Sequence, residues 1–181
     1  MWGFWAFVIC VNLLVSSLGN TRVFVLSPFH LWNKTQALGY YAAHRLNRLV
    51  DGEMISPHLA LRHSARKHNV PKRLAFAIAK AESDFIPDRI SRCGAMGTMQ
   101  LMPGTARELG LTDPFHPEQN VDGGVRYLAR LMRRYRGDFR RVAAAYNAGP
   151  NRVPRSGAYR VPAETRRYVD TVLRYTRRFQ R

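Results

Sequence analysis

Among the residues of this chain that can do chemistry, Glu82 has the most telling context. It sits near the end of Pro71-Lys-Arg-Leu-Ala-Phe-Ala-Ile-Ala-Lys-Ala-Glu82-Ser83. This segment is apolar on nearly every side, and a helix of that kind belongs in a core. A carboxyl group rarely occupies such a place without a partner or a task. Burial and the negative end of the helix dipole both disfavour its charged form. Its pKa is therefore expected to rise, as a general acid at neutral pH requires. Lys80, two positions away, points to another side of the helix and should not oppose this.

With 12 acidic residues in the chain, the search for a second carboxylate is short. Asp84 falls after the helix or on another side of it, and Asp88 lies in the following loop. Neither has a patterned apolar context, so both read as surface acids. Cleavage of a glycosidic bond usually takes two carboxylates, one as acid and one as base or nucleophile. A one-carboxylate site requires the substrate to supply its own nucleophile.

The elements that must position Glu82 read as mostly helical. Leu38, Tyr41, Ala42, Leu46 and Leu49 fall at helical spacing, with His44, Arg45 and Arg48 opposite, which predicts an amphipathic helix. Asp51-Gly52 is a break. Ser56-Pro57 then reads as N-cap and first residue of a helix to about His68. Phe85 to Pro103 is interrupted by proline, serine and glycine, which predicts a loop with a short strand pair. A brief helix spans Thr105 to Leu109, closed by Gly110, and Asp113 to Pro117 is turn sequence. Val121, Val125, Leu128, Met132 and Tyr135 form the apolar stripe of the next helix, with Arg126, Arg130, Arg133 and Arg134 outside it. Phe139 to Asn147 is a short helix closed by Gly149-Pro150. The last helix starts near Pro162 and buries Tyr168, Val169, Val172, Leu173 and Phe179. The fold class expected is mainly α, a helical bundle around a buried central helix with a small loop or β region.

The 181 residues suffice for one domain plus a short appendage. The formal charge is +17, from 29 basic against 12 acidic residues. Such a field suits nucleic acid, acidic lipid or an anionic wall polymer. Residues 1–19 carry no charged side chain and are almost wholly apolar from Trp2 to Leu18. They read as a signal peptide cleaved after Gly19, or as an uncleaved anchor, and either places the folded part outside the cytoplasm. Cys10 is a poor lipidation site, with Ile9 before it. Cys93 is then the one cysteine of the mature chain and reads as a half-buried filler. The six histidines lack the HExxH pattern and read as surface residues. No metal or cofactor is expected, and no nucleic-acid motif appears. The organisation expected is residues 1–19 as signal or anchor, 20–51 as an N-terminal extension, and 52–181 as the catalytic domain.

Four segments in order then narrow the reading: Glu82-Ser-Asp-Phe85, Gly94-Ala-Met-Gly-Thr-Met-Gln-Leu-Met-Pro103, Ala145-Tyr-Asn-Ala-Gly-Pro150 and Glu164-Thr-Arg-Arg-Tyr-Val169. Together they resemble the four motifs of the soluble lytic transglycosylase catalytic domain, a lysozyme-like α+β fold. The resemblance covers about Ser56 to Arg178 and includes Asp113-Pro-Phe-His-Pro-Glu-Gln-Asn120. It implies that Glu82 is the catalytic acid and then base, acting between N-acetylmuramic acid and N-acetylglucosamine. The muramic C6 hydroxyl closes a 1,6-anhydro ring, which fits the lack of a second carboxylate.

By the same resemblance, Ser91 matches a serine that orients the acetamido group, and Tyr146 a tyrosine held near the catalytic glutamate. Ser83, Gln100, Met102, Asn147, Glu164 and Tyr168 match substrate-binding positions. Thr98 stands where the family usually has leucine or valine, and Cys93 where alanine is frequent. The partners implied are peptidoglycan glycan strands and an anionic envelope surface in the periplasm or another extracytoplasmic space. A secretion or conjugation apparatus is a further partner by analogy. Two alternatives stay open: a lysozyme-type hydrolase of the same fold, and a catalytically silent wall-binding module.

Overall fold

Six consecutive buried residues, Leu74 to Ala79, decide the architecture. They belong to a helix that has protein on every side. The computed structural model of the protein describes residues 27–48 and 55–180. In chain order these form α1 (Pro28–Asn47), α2 (Pro57–Lys67), α3 (Lys72–Ser83), α4 (Pro103–Glu108), α5 (Pro117–Arg134), α6 (Phe139–Ala148), a 3-10 turn (Pro150–Arg152) and α7 (Ala163–Arg178). The central helix is α3. It packs on α7 and α2, α2 also packs on α5, and α6 closes against α5 and α7. Ala75, Ala77 and Ala79 combine high helix propensity with small size, so neighbours can approach α3 on more than one side. Leu74 and Ile78 fill what remains, each contributing roughly 1.5–3 kcal/mol by burial.

Immediately after Glu82 the helix stops hard. Asp84 and Phe85 are both left-handed, at φ 59° and 64°. Non-glycine residues there cost on the order of 1–3 kcal/mol each, so the surroundings must enforce the turn. Asp84 N–H donates to the Lys80 carbonyl at 3.2 Å. The Phe85 ring packs against His58 with centroids 4.3 Å apart, and against Phe76 at 6.0 Å and Phe179 at 6.3 Å.

Between α3 and α4 the chain makes a glycine-rich loop with two isolated antiparallel bridges, Ile90 to Met96 and Met96 to Leu101. This is the short strand pair expected from sequence, reduced to its minimum. With so little ladder, side chains must satisfy the loop's main chain. Asn120, 1% exposed on α5, is the hub. Its Oδ1 accepts from Met99 N–H at 2.7 Å, and its Nδ2 donates to the carbonyls of Met96 (3.0 Å) and Pro114 (2.7 Å). Gly97, at φ +75°, lets the loop come this close; a Cβ there would stand 2.7 Å from the Pro114 oxygen.

The boundaries of α2, α3, α5, α6 and α7 follow the sequence reading closely. Ser56 caps α2, accepting from Leu59 N–H at 3.3 Å. The expected helix within residues 20–51 is α1, but its buried face differs from the one expected. Leu38 and Leu46 are 50% and 67% exposed, whereas Asn33, Ala37 and His44 are buried. The cause is a long-range pair: His44 Nδ1 lies 2.7 Å from Asp113 Oδ2, beside the Phe115 ring. Gly94 brings the loop against the same face, where a Cβ would meet the Asn33 carbonyl carbon at 2.5 Å. His44 is thus a correction to the expectation of surface histidines. Phe179 is also more exposed than expected, at 36%. The proposed signal or anchor, Leu49 and the Asp51-Gly52 break lie outside the described residues. Among the described residues no helix is long and apolar enough to cross a membrane.

Replacing Asn120 by alanine orphans the buried Met99 N–H and removes both carbonyl contacts. The expected loss is about 2–4 kcal/mol of unfolding free energy, measured by urea denaturation. A loss under about 1 kcal/mol would show that the loop is held by other means.

Candidate active site around Glu82

Glu82 occupies the last turn of α3, half-buried, and its carboxyl meets α7. The Tyr168 hydroxyl donates to Glu82 Oε1 at 2.6 Å. That leaves Oε2 as the oxygen able to carry and present a proton. Burial pushes the Glu82 pKa up from its usual 4.5 to about 7, against the Tyr168 hydrogen bond and the positive charge of Arg89, which both lower it. Arg89 was not singled out from sequence. It is exposed, and its guanidinium donates to the Ser83 carbonyl at 3.4 Å, at the end of α3. The only sequence signal for it was a basic residue inside the loop that follows the acid.

Tyr146, from α6, lies close enough to feel the charge of Glu82, but its hydroxyl goes elsewhere. It donates to the Met99 carbonyl at 2.8 Å. The main chain of Met99 is thereby held at both its N–H, by Asn120, and its carbonyl, by Tyr146. The pKa values of Tyr146 and Tyr168 are both raised well above the usual tyrosine value, first by burial and then by Glu82. Both therefore stay neutral donors.

The other residues singled out from sequence divide by what holds them. Ser83 is fully buried, and its hydroxyl donates to the Thr98 carbonyl at 2.8 Å. In this arrangement it has no exposed surface and ties the glycine-rich loop to the end of α3. Ser91 Oγ accepts from Ala95 N–H at 2.9 Å, which leaves its own hydrogen to be donated. Gln100 donates through Nε2 to the Gly97 and Arg89 carbonyls, at 2.8 and 3.1 Å, and keeps Oε1 without a partner among the described residues. Met102 is half-buried at the N-cap of α4. Asn147 and Glu164 are exposed. Asn147 Oδ1 accepts from Thr165 at 2.9 Å, fixing the end of α6 to the start of α7.

The two nearest acids in sequence are committed elsewhere. Asp84 is exposed and pairs with Lys80. Asp88 faces His44 Nε2 at 3.9 Å and Arg48 at 3.8 Å. A cavity of about 570 Å³ between α2 and α5 is lined by Lys67, Asp122 and Arg126 and not by Glu82.

With this geometry in view, comparison with known proteins is decisive for the family. The transglycosylase SLT domain matches residues 60–169. The chain belongs to the transglycosylase SLT domain family. This SLT chain is 36% identical over 129 residues to the soluble lytic murein transglycosylase of Escherichia coli K12, covering 59% of this chain and 20% of that protein. It is 40% identical over 88 residues to the transglycosylase of Enterobacteria phage PRD1, covering 49% and 33%. It therefore spans a third or less of the length of these two relatives. Its fold is similar to that of a lytic transglycosylase Slt inactive mutant from Pseudomonas aeruginosa, with TM-score 0.59 and 32% identity over 65% of this chain and 23% of that one. The 70 kDa soluble lytic transglycosylase of Escherichia coli gives TM-score 0.61 and 27% identity, over 84% and 30%. The SLT fold is lysozyme-like and mainly α, as expected from the four motifs.

Tyr168→Phe removes the hydrogen bond that lowers the Glu82 pKa, so that pKa is expected to rise above its wild-type value in a carboxyl-carbon NMR titration. An unchanged value would mean that the hydroxyl does not bear on the carboxyl in solution. The same shift makes stability depend on pH. Between pH 4.5 and about 7 the native protein holds a proton that the unfolded chain has lost. Stability therefore falls as pH rises through that window, by up to about 3 kcal/mol. Glu82→Gln should abolish this contribution, so that its stability relative to wild type grows from pH 4 to pH 8 in denaturant titrations.

Proposed function

We propose that this protein is a lytic transglycosylase acting on peptidoglycan strands, with Glu82 as the single acid and then base. The observation that carries the reading is the Glu82 carboxyl itself: held by Tyr168 through one oxygen, and protonated near neutral pH because it is buried. The engagement of Asp84 with Lys80, and of Asp88 with His44 and Arg48, supports a mechanism without a second carboxylate.

In the first step Glu82 donates its proton to the oxygen of the bond between N-acetylmuramic acid and N-acetylglucosamine, and the bond from C1 to that oxygen breaks. The acetamido group of the muramic residue stabilises the cation at C1, oriented by Ser91, whose hydroxyl hydrogen is available. Glu82, now ionised, takes the proton of the C6 hydroxyl as that oxygen attacks C1 and closes the 1,6-anhydro ring. The enzyme ends as it began, and no water is consumed. Intramolecular attack carries the large proximity advantage of a tethered nucleophile. Tyr146 fits a supporting role, holding the Met99 peptide beside the cleft and facing the developing cation with a neutral ring. Gln100, Met102, Asn147, Glu164 and Tyr168 are the residues assigned here to the glycan strand. The charge of +17 fits attraction to an anionic envelope, which added salt weakens.

The test is mass spectrometry of fragments released from purified sacculi by the protein beside Glu82→Gln. Products with an anhydro-muramic end, one water lighter than hydrolysis products, are expected from the wild type and absent from the variant. The rate should fall as pH rises through about 7, because the acid must start protonated. Reducing ends would reassign the protein as a hydrolase of the same fold, and release of nothing despite binding would leave a wall-binding module.

A further inference from the structure

The face of α7 opposite Glu82 carries a second pocket that the proposed reaction does not use. Tyr168 turns toward Glu82, while Arg166 and Asp170 lie two residues to either side of it, about 200° round the helix. There they line a cavity of about 420 Å³ together with Arg140 at the start of α6 and Arg160 from the segment before α7. Three guanidinium groups thus face one carboxylate. Arg140 and Asp170 lie 3.4 Å apart with both side chains well exposed, a pairing worth little in water. The floor is apolar: Val169 is 3% exposed, and Val161 and the Tyr159 ring are half-buried.

The wall of this pocket is irregular chain, and it is pinned. Arg141 donates to the carbonyls of Pro154 (2.8 Å) and Gly157, and its guanidinium lies 4.8 Å from the centre of the Tyr159 ring. Asp138, the N-cap of α6, lies 3.3 Å from Arg141 Nε, and Arg166 donates to the Val161 carbonyl at 2.9 Å. Arg160 makes no hydrogen bond within the described residues, so its donors are free for a ligand. Arginine presents a planar fork of donors that matches a carboxylate or phosphate in two-point fashion. The apolar floor beside the arginine rim favours a carboxylate with a small alkyl group attached over a bare phosphate.

We propose that this pocket is a peptide-carboxylate site: Arg160 and Arg166 hold the carboxylate, and the adjoining methyl-sized side chain rests on Val161, Val169 and the Tyr159 ring. Resting on the function proposed above, the source is the stem peptide of peptidoglycan, whose terminal alanine carries both features. A site on the far face of α7 from Glu82 takes the peptide of a different strand from the one being cut. It gives the enzyme a second hold on cross-linked wall.

The test is an NMR titration of the full chain carrying Glu82→Gln, which binds without turnover, so its result does not depend on which reaction the protein performs. The probes are acetyl-D-alanyl-D-alanine, the same peptide with an amide terminus, and inorganic phosphate. Shifts confined to residues 159–161 and 166–170, seen with the carboxylate and not with the amide, are expected. Arg160→Ala, which breaks no internal hydrogen bond, should weaken binding roughly five- to tenfold, and Arg166→Ala should do likewise. Equal binding of the amide, shifts centred on Glu82 and Tyr146, or binding indifferent to Arg160→Ala would each overturn the assignment. Phosphate binding more tightly than the peptide would overturn the peptide assignment in favour of a simple anion site.

Discussion

A carboxyl group largely enclosed by protein yet not sealed from solvent is the constraint on which this structure turns. The enclosure comes from α3, buried from Leu74 to Ala79, which delivers Glu82 at its final turn where the core ends. Had the helix run on, the carboxyl would have been sealed inside; had it ended earlier, the group would have been solvated and its pKa ordinary. The two left-handed residues at Asp84 and Phe85 fix the stopping point, and the aromatic cluster of His58, Phe76, Phe85 and Phe179 compensates for their strain. The loop beyond α3 carries two isolated bridges and little other ladder.

Side chains supply the missing ladder. Ser83, Asn120, Gln100, Ser91 and Tyr146 all hydrogen-bond to backbone groups of the loop. Most of them satisfy a main-chain donor or acceptor that would otherwise be stranded, while Gln100 adds a second bond to carbonyls that already accept a main-chain N–H, and the loop is held without strands. Several do this with only part of their capacity. Gln100 keeps its carbonyl oxygen and Ser91 its hydrogen, and both are exposed enough to meet a ligand. Ser83 donates inward to the Thr98 carbonyl and has no exposure. A structural role therefore leaves a polar group accessible in the first two and not in the third. Thr98 is less well served: it is buried, and its hydroxyl lacks a partner among the described residues.

What sequence makes legible here is whatever depends on local pattern. The α3 run, the Ser56 cap, the α5 stripe and the glycine stops after α4 and α6 are short-range signals, and the helices appear where those signals place them. Glu82 was legible for the same reason, since an acid inside an apolar run is a local anomaly. Features that depend on partners distant in the chain were not. The face of α1 was misread because Leu38 and Leu46 outrank His44 in hydrophobicity, yet Asp113, 69 residues away, draws the histidine inward. The division of labour between the two tyrosines is likewise tertiary. Both were marked by motif, but only the packing of α7 on α3 gives Tyr168 the hydrogen bond to Glu82 and leaves Tyr146 to the Met99 carbonyl.

Under the proposed function, that division bears on how one carboxyl would serve as acid and base in turn. An acid that gives its proton away readily is a poor base, and the converse also holds, so a single group in both roles is best poised near the working pH. Burial alone would carry Glu82 higher, toward a carboxyl that holds its proton too firmly. Tyr168 and Arg89 pull in the other direction, and the balance falls at about 7. Because the Tyr168 hydroxyl is itself buried and kept neutral, it can donate to Glu82 in both protonation states and does not compete for the proton. It also fixes the carboxyl by one oxygen, which in the proposed reaction leaves the other to give up and take back the proton. On this reading the buried helix supplies the proton affinity and the tyrosine limits it.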